Sequence, residues 1–103
     1  PSFVSIAHCE DYVVCAVSHR PIGIDIEKVK PVKPGMAERI CTPEELQYVC
    51  GDETRFFEVW TAKEAWFKML GTGITDFQSV NTLTLSRKLF RQDGYLIQLV
   101  YEE

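Results

Sequence analysis

Residues 22–29, IGIDIEKV, constrain the fold of this chain more than any other stretch. Ile22, Ile24 and Ile26 recur at a spacing of two, with Asp25 and Glu27 between and beyond them. That period predicts a half-buried strand with isoleucines on one face and carboxylates on the other. A strand of this kind needs partners for its edges and a layer over its apolar face.

The flanking sequence supplies candidates for both. Residues 3–7 and 12–18 are apolar and rich in Val and Ile. The polar stretch His8-Cys9-Glu10-Asp11 between them reads as a turn, so the two runs predict a hairpin. After a Pro-rich bend from Lys30 to Gly35, Thr42-Pro43-Glu44-Glu45 predicts a helix start. Thr42 suits the cap, Pro43 the first helical position and Glu45 the acidic place of a capping box. This short helix should end near Val49 or Cys50. Residues 53–70 contain neither Gly nor Pro, and place Phe56, Trp60 and Phe67 at helical spacing before Gly71. Two more strands are predicted, at about 79–86 and 95–101, with a turn at Gln92-Asp93-Gly94. The order predicts an α+β fold, an antiparallel sheet packed against two or three helices.

At 103 residues with 46% hydrophobic content, the chain suits one domain with one modest core. No apolar run approaches the length of a membrane helix. No signal peptide is visible, which together with the thiols predicts a cytoplasmic protein with no membrane partner. Opening on Pro1 rather than Met leaves room for an upstream segment. Cys9, Cys15, Cys41 and Cys50 match no zinc spacing and read as reduced thiols, several of them buried. A net charge of -4 argues against nucleic acid as the main partner. Lys28, Lys30, Lys33 and Arg39 nonetheless crowd one stretch, a basic patch suited to an acidic protein or a phosphorylated ligand, or simply a solvated face.

Asp25 and Glu27 leave the same face of their strand. As a pair they suit Mg²⁺, which takes one or two carboxylates alongside waters and phosphates; two solvated acids are the plainer alternative. Lys63 and Glu64 lie in the middle of the long helix, with Lys68 one turn beyond Glu64. Glu64 also follows Trp60 by four, which sets it at the apolar edge of the helix. It could complete a cation site with lysines beside it, or form a surface pair with Lys68 worth a few tenths of a kcal/mol.

Taken together, these residues resemble a family. IGIDIEKV (22–29) and WTAKEAWFK (60–68) are similar to the two signature motifs of 4'-phosphopantetheinyl transferases. The pattern G-[IV]-D-x-E, a spacer, then W-[ST]-x-K-E-[AS]-x-x-K is filled by Gly23, Asp25, Glu27, Trp60, Thr61, Lys63, Glu64, Ala65 and Lys68. The hairpin with His8 and the loop Gly71-Thr72-Gly73-Ile74 extend the likeness over nearly the whole chain. The motifs look more like the larger, surfactin-synthetase-activating type than the small trimeric holo-acyl-carrier-protein synthase.

The resemblance implies transfer of the 4'-phosphopantetheine arm of coenzyme A to a serine of an acyl or peptidyl carrier protein, in fatty-acid, polyketide or nonribosomal peptide synthesis. It implies Mg²⁺ held by Asp25, Glu27 and Glu64. Lys63 and Lys68 would neutralise phosphate, Lys68 chiefly on the leaving diphosphate. Glu64, or a metal-bound water, would take the serine proton. His8 would contact a coenzyme A phosphate and Gly73 would pass close to the pantetheine arm. Two departures stand out. Ala7 replaces the usual Ser before the histidine, and the larger type has two similar halves and about twice this length. Residues 1–20 resemble the tail of a preceding half-domain within a single 1–103 unit, so a missing N-terminal half or a homo-oligomer is expected. The competing reading is a coenzyme A or carrier-protein binding module without turnover.

Overall fold

The computed structural model describes residues 2–103. Strands β1 (Phe3–Cys9) and β2 (Tyr12–Ser18) form an antiparallel hairpin that pairs Phe3 with Ser18 and Cys9 with Tyr12. The turn is only Glu10 and Asp11, with Glu10 at φ 52°, a conformation short polar turns tolerate. His8 and Cys9 therefore belong to β1 rather than to the turn the sequence predicted. The hairpin's inward residues, Ala7 and Ala16, are small and buried.

Strand β3 (Ile22–Lys28) carries the alternating motif, and it pairs antiparallel with the last strand, β5 (Tyr95–Tyr101). Strand β4 (Arg87–Gln92) completes a three-stranded sheet of order β3-β5-β4. Ile24, Ile26 and Tyr95 face the hairpin in one apolar cluster with Ala7 and Ala16. The hairpin is not laddered to β3; instead Ser5 Oγ accepts the buried amide of Ile24 at 3.0 Å.

Helices cover the opposite face. Helix α1 (Met36–Ile40) follows the Pro-rich bend and was not anticipated. Helix α2 (Pro43–Val49) has the expected capping box: Thr42 Oγ1 accepts from the Glu45 amide, and Glu45 Oε1 accepts from the Thr42 amide at 2.8 Å. Helix α3 (Glu53–Leu70) is capped by Asp52 and closed by Gly71 at φ 73°. Phe56, Phe57 and Val59 of α3 pack with Leu96 of β5 and with Ile40 and Val49. Ala62 and Ala65 meet Val100. The molecule is thus layered as hairpin, sheet and helices.

The predicted strand at 79–86 is absent. Phe77–Ser79 and Thr82–Thr84 are short 3₁₀ turns, and the strand begins later, at Arg87. Asp76 and Asn81 turn the chain by accepting the amides of Gln78 and Leu83. Such local side-chain bonds compete with a ladder despite the alternating pattern. Of the four free cysteines only Cys41 is buried; Cys15 and Cys50 are exposed, against the expectation of several buried thiols. No helix among the described residues is long and apolar enough to cross a membrane.

Candidate functional site

Gly23 decides how closely the strand and the long helix approach. A Cβ there would lie 1.8 Å from the Ala65 carbonyl oxygen, so only glycine lets β3 press onto α3 at this point. Asp25 and Glu27 follow Gly23 at the strand's period of two and share its helix-facing side. Asp25 is 6% exposed and Glu27 is half-buried. From the helix, Glu64 is half-buried, and Lys68, one turn on, sets Nζ 3.6 Å from Asp25 Oδ1. The same ammonium donates to the Ile6 carbonyl of β1 at 3.3 Å. One side chain thereby touches the hairpin and the acid strand from the helix.

The electrostatics are those of crowded acids. Burial pushes the Asp25 carboxyl up to about 7; Glu27 and then Glu64 add to the rise, and Lys68 opposes it. Burial raises Glu64 as well, followed by Glu27, again against Lys68. Asp25 Oδ2 is buried with no hydrogen-bond partner. An orphaned buried carboxylate oxygen is costly and marks a place that a cation would relieve. Among the described residues no three His, Cys, Asp or Glu side chains converge closely enough to hold a metal ion as they stand. The donor set fits Mg²⁺ in chemistry, since all three candidates are hard oxygen ligands and one oxygen is unspent.

Beside these acids lies an open pocket of about 380 Å³ lined by Glu64, Phe67, Lys68, Gly71, Gly73 and Ile74. Gly73 takes φ 74°, which favours glycine there. His8 stands exposed on the outward face of β1, two residues beyond Ile6 and across from Val13.

Lys63 is placed differently from the phosphate-binding role expected of it. Its side chain is fully buried and pairs with the equally buried Glu45 at 2.8 Å. The ammonium also donates to the carbonyls of Phe77 and Val80, at 2.5 and 2.9 Å. Three donors thus meet three acceptors inside the protein, leaving none for phosphate. The sequence carried a signal for this: Lys63 continues the Phe56, Trp60, Phe67 stripe at intervals of three and four. Glu45, read only as a cap, was the missed partner.

A second cavity, of about 210 Å³, is lined by Glu27, Lys30, Met36, Phe56, Phe57 and Trp60. It lies beside the basic stretch, where Lys28, Lys30, Lys33 and Arg39 are all exposed.

Comparison with known proteins agrees with the motif reading. The sequence profile of the 4'-phosphopantetheinyl transferase superfamily matches residues 21–98. The 4'-phosphopantetheinyl transferase psf-1 of Bacillus pumilus is 40% identical over 92 residues, covering 84% of this chain and 40% of that protein. The 4'-phosphopantetheinyl transferase HetI of Nostoc is 33% identical over 84 residues, 74% of this chain and 35% of that one. The chain therefore spans about two fifths or less of the length of these relatives. Among solved structures, holo-[acyl-carrier-protein] synthase of Thermotoga maritima superposes with a TM-score of 0.57 at 26% identity, covering 79% of this chain and 61% of that one. By its motifs, its layered fold and these relatives, the chain belongs to the 4'-phosphopantetheinyl transferase superfamily.

Proposed function

We propose that this chain is the metal-bearing part of an enzyme that transfers the 4'-phosphopantetheine arm of coenzyme A to a serine of an acyl or peptidyl carrier protein. The observation that carries the reading is Asp25 Oδ2, buried and unpartnered beside Glu27, Glu64 and Lys68.

Asp25, Glu27 and Glu64 would hold Mg²⁺, which when bound supplies positive charge against the pyrophosphate and its leaving oxygen. Lys68, exposed enough to swing from Asp25, would move onto a phosphate oxygen of the bound substrate. Gly73 and Ile74 would border the pantetheine arm in the pocket beside Glu64. In the transfer, the serine oxygen forms a bond to the β-phosphorus. The anhydride P–O bond breaks, and its electron pair leaves on adenosine 3',5'-bisphosphate. Glu64 accepts the serine proton. Phosphoryl transfer asks chiefly for positioning and charge, which this arrangement offers.

The carrier would dock at the exposed basic stretch, where Lys30 lines the apolar cavity of Met36, Phe56, Phe57 and Trp60 and Lys33 and Arg39 follow in sequence. An acidic helix with an apolar face matches that surface. His8 would reach a coenzyme A phosphate at the rim of the hairpin. The outward face of that hairpin carries Val4, Ile6, Val13 and Val17 at 58, 59, 71 and 66% exposure. An apolar face of this kind marks an interaction surface. A preceding half-domain, of which residues 1–20 would be the tail, or a second copy would complete the cleft there. A reduced, cytoplasmic setting suits both coenzyme A and the free thiols.

The test is mass spectrometry of an apo carrier protein incubated with the chain, coenzyme A and Mg²⁺, with an EDTA control. A metal-dependent gain of about 340 Da, the mass of one phosphopantetheine arm, supports the transferase. Asp25→Asn and Glu64→Gln should abolish it while circular dichroism stays native.

A second reading, binding without turnover, is favoured by one observation: the Lys68 ammonium already sits 3.6 Å from Asp25, where a cation would otherwise be held. Salt-sensitive carrier binding that ignores EDTA, with no mass gain, would establish it.

A further inference from the structure

Lys63 and Glu45 tie the chain downstream of α3 to the helical layer from inside, while Gln78 Nε2 donates to the Glu38 and Cys41 carbonyls from the outside, at 2.9 and 3.2 Å. Downstream of α3 the chain runs as a strap from Gly71 to Thr82. Its upstream end is fixed where the Gly71 amide donates to the carbonyls of Phe67 and Lys68. Residues 72–76 are exposed throughout. The strap's far end is gripped from inside. Lys63 takes the Phe77 and Val80 carbonyls, while Glu45 Oε2 accepts the Thr82 amide at 2.8 Å and its hydroxyl at 2.6 Å. Phe77 then packs against Trp60 and Phe67, with ring centroids 5.1 and 6.3 Å away.

We propose that Lys63 and Glu45 act as a positioning pair, clamping the far end of the strap so that Gly73 and Ile74 form a fixed wall of the pocket beside Glu64 and Lys68. The proposal rests on the transferase reading for the pocket's ligand, but the clamp itself does not. Lys63 and Glu64 are adjacent on α3, so their side chains diverge by about 100° around the helix. One helical position therefore feeds the acid cluster, and its neighbour holds the strap that borders the same pocket.

A charged pair suits this task because the 3₁₀ turns offer carbonyls and an amide that lack ladder partners. Burial pushes the Glu45 carboxyl up, but bonds from Lys63 and Thr82 prevail and hold it below its ordinary range. Glu45 is thus an anion with all its bonds spent: Thr42 and Lys63 on Oε1, Thr82 twice on Oε2.

The experiment compares the unsubstituted chain with the double variant Lys63→Met, Glu45→Gln. Replacing both charges avoids stranding either one in the core. We expect α3 to keep its helical signal, while amides from Gly73 to Val80 exchange at least about tenfold faster. In the transfer assay, KM for coenzyme A should rise at least about fivefold with kcat changed far less, the mark of lost binding geometry rather than lost chemistry. Unchanged exchange in the folded variant would overturn the clamp, as would a fall in kcat at constant KM, which would return Lys63 to the reacting groups. Should the double variant not fold, Thr82→Val removes one bond to Glu45 without touching charge. Faster exchange confined to the strap would then support the clamp, and unchanged exchange would overturn it. If the unsubstituted chain transfers nothing by itself, as a part lacking the other half of the cleft would, strap exchange alone decides the clamp by the same two outcomes.

Discussion

Lys68 sets its ammonium 3.6 Å from Asp25 Oδ1, spanning the seam between α3 and β3, yet the other oxygen of that carboxyl has no partner. One lysine, about a third exposed, does not balance an acid that also faces Glu27 and Glu64. Without a further cation, the seam stores unfavourable charge.

That charge has a pH signature. In the unfolded chain Asp25 ionises near 3.8; in the fold its carboxyl is pushed up to about 7, first by burial and then by Glu27. Between those values the folded state binds the extra proton, so Asp25 lowers stability as pH rises through the window. Glu45, shifted the other way, loses its contribution only in more acid solution. Urea unfolding should show Asp25→Asn gaining on the unsubstituted chain by on the order of 2–4 kcal/mol from pH 4 to pH 7 in the presence of EDTA. Parallel pH curves for the two proteins would refute the assignment.

Gly23→Ala tests the seam sterically. The added methyl would meet Ala65 O at 1.8 Å and Met69 N at 2.9 Å, both backbone atoms that cannot rotate away. A loss of about 3 kcal/mol or more is expected from such overpacking, read as a lower urea midpoint. A midpoint unchanged from the parent would mean that strand and helix separate more freely than their packing indicates.

The two hairpin turns exchange bonds crosswise. Tyr12 of β2 donates to Asp93 Oδ2 at 2.6 Å in the β4–β5 turn, and Tyr95 of β5 donates to Glu10 in the β1–β2 turn. Their rings meet at a tilt of 55° with centroids 4.7 Å apart. The double variant Tyr12→Phe, Tyr95→Phe should keep the sheet and quicken amide exchange across β1 and β2, carrying the His8 and Ile6 positions with them. Hydrogen exchange followed by mass spectrometry would show it, and equal protection of the hairpin in both proteins would contradict it.

Exposure of Val4, Ile6, Val13 and Val17 on one hairpin face leads to a fourth expectation. The chain by itself should self-associate with concentration, and Val13→Lys should return it to monomer without loss of secondary structure. Sedimentation velocity reads this directly. A monomer at every concentration tested would leave a preceding half-domain as the occupant of that face.

Much of this architecture was readable because it rests on local rules. The Thr42–Glu45 box, Pro43, the alternation in β3 and the Gly71 stop all act within one turn or one pleat, and each element lies where those rules put it. The stretch 79–86 misled because Val80-Asn81-Thr82-Leu83 alternates like a strand, while Asp76 and Asn81 turn the chain locally and Glu45, 37 residues upstream, holds Thr82 in that turn. Helix α1 is five residues long and held by its neighbours, so its own sequence says little. At the site, the strand period put Asp25 and Glu27 on one face and the helix period put Glu64 and Lys68 on one side; that the two sides oppose each other came from the family resemblance alone. The periods did not show that Lys68 would reach Asp25 and Ile6, nor that Lys63 would turn inward. Both outcomes depend on distant partners.

The topology of β3 has a consequence for how the protein is made. Its one ladder neighbour among the described residues is β5, which sets Asp25 opposite Gln98 and Glu27 opposite Leu96. During synthesis, β3 therefore emerges long before the strand that will satisfy its backbone, a high-contact-order arrangement that folds late. Through that interval an apolar strand with three isoleucines is open to pairing with other nascent chains. Two carboxylates on one face of that strand would repel their counterparts in an in-register stack of copies, as charges set within apolar strands do.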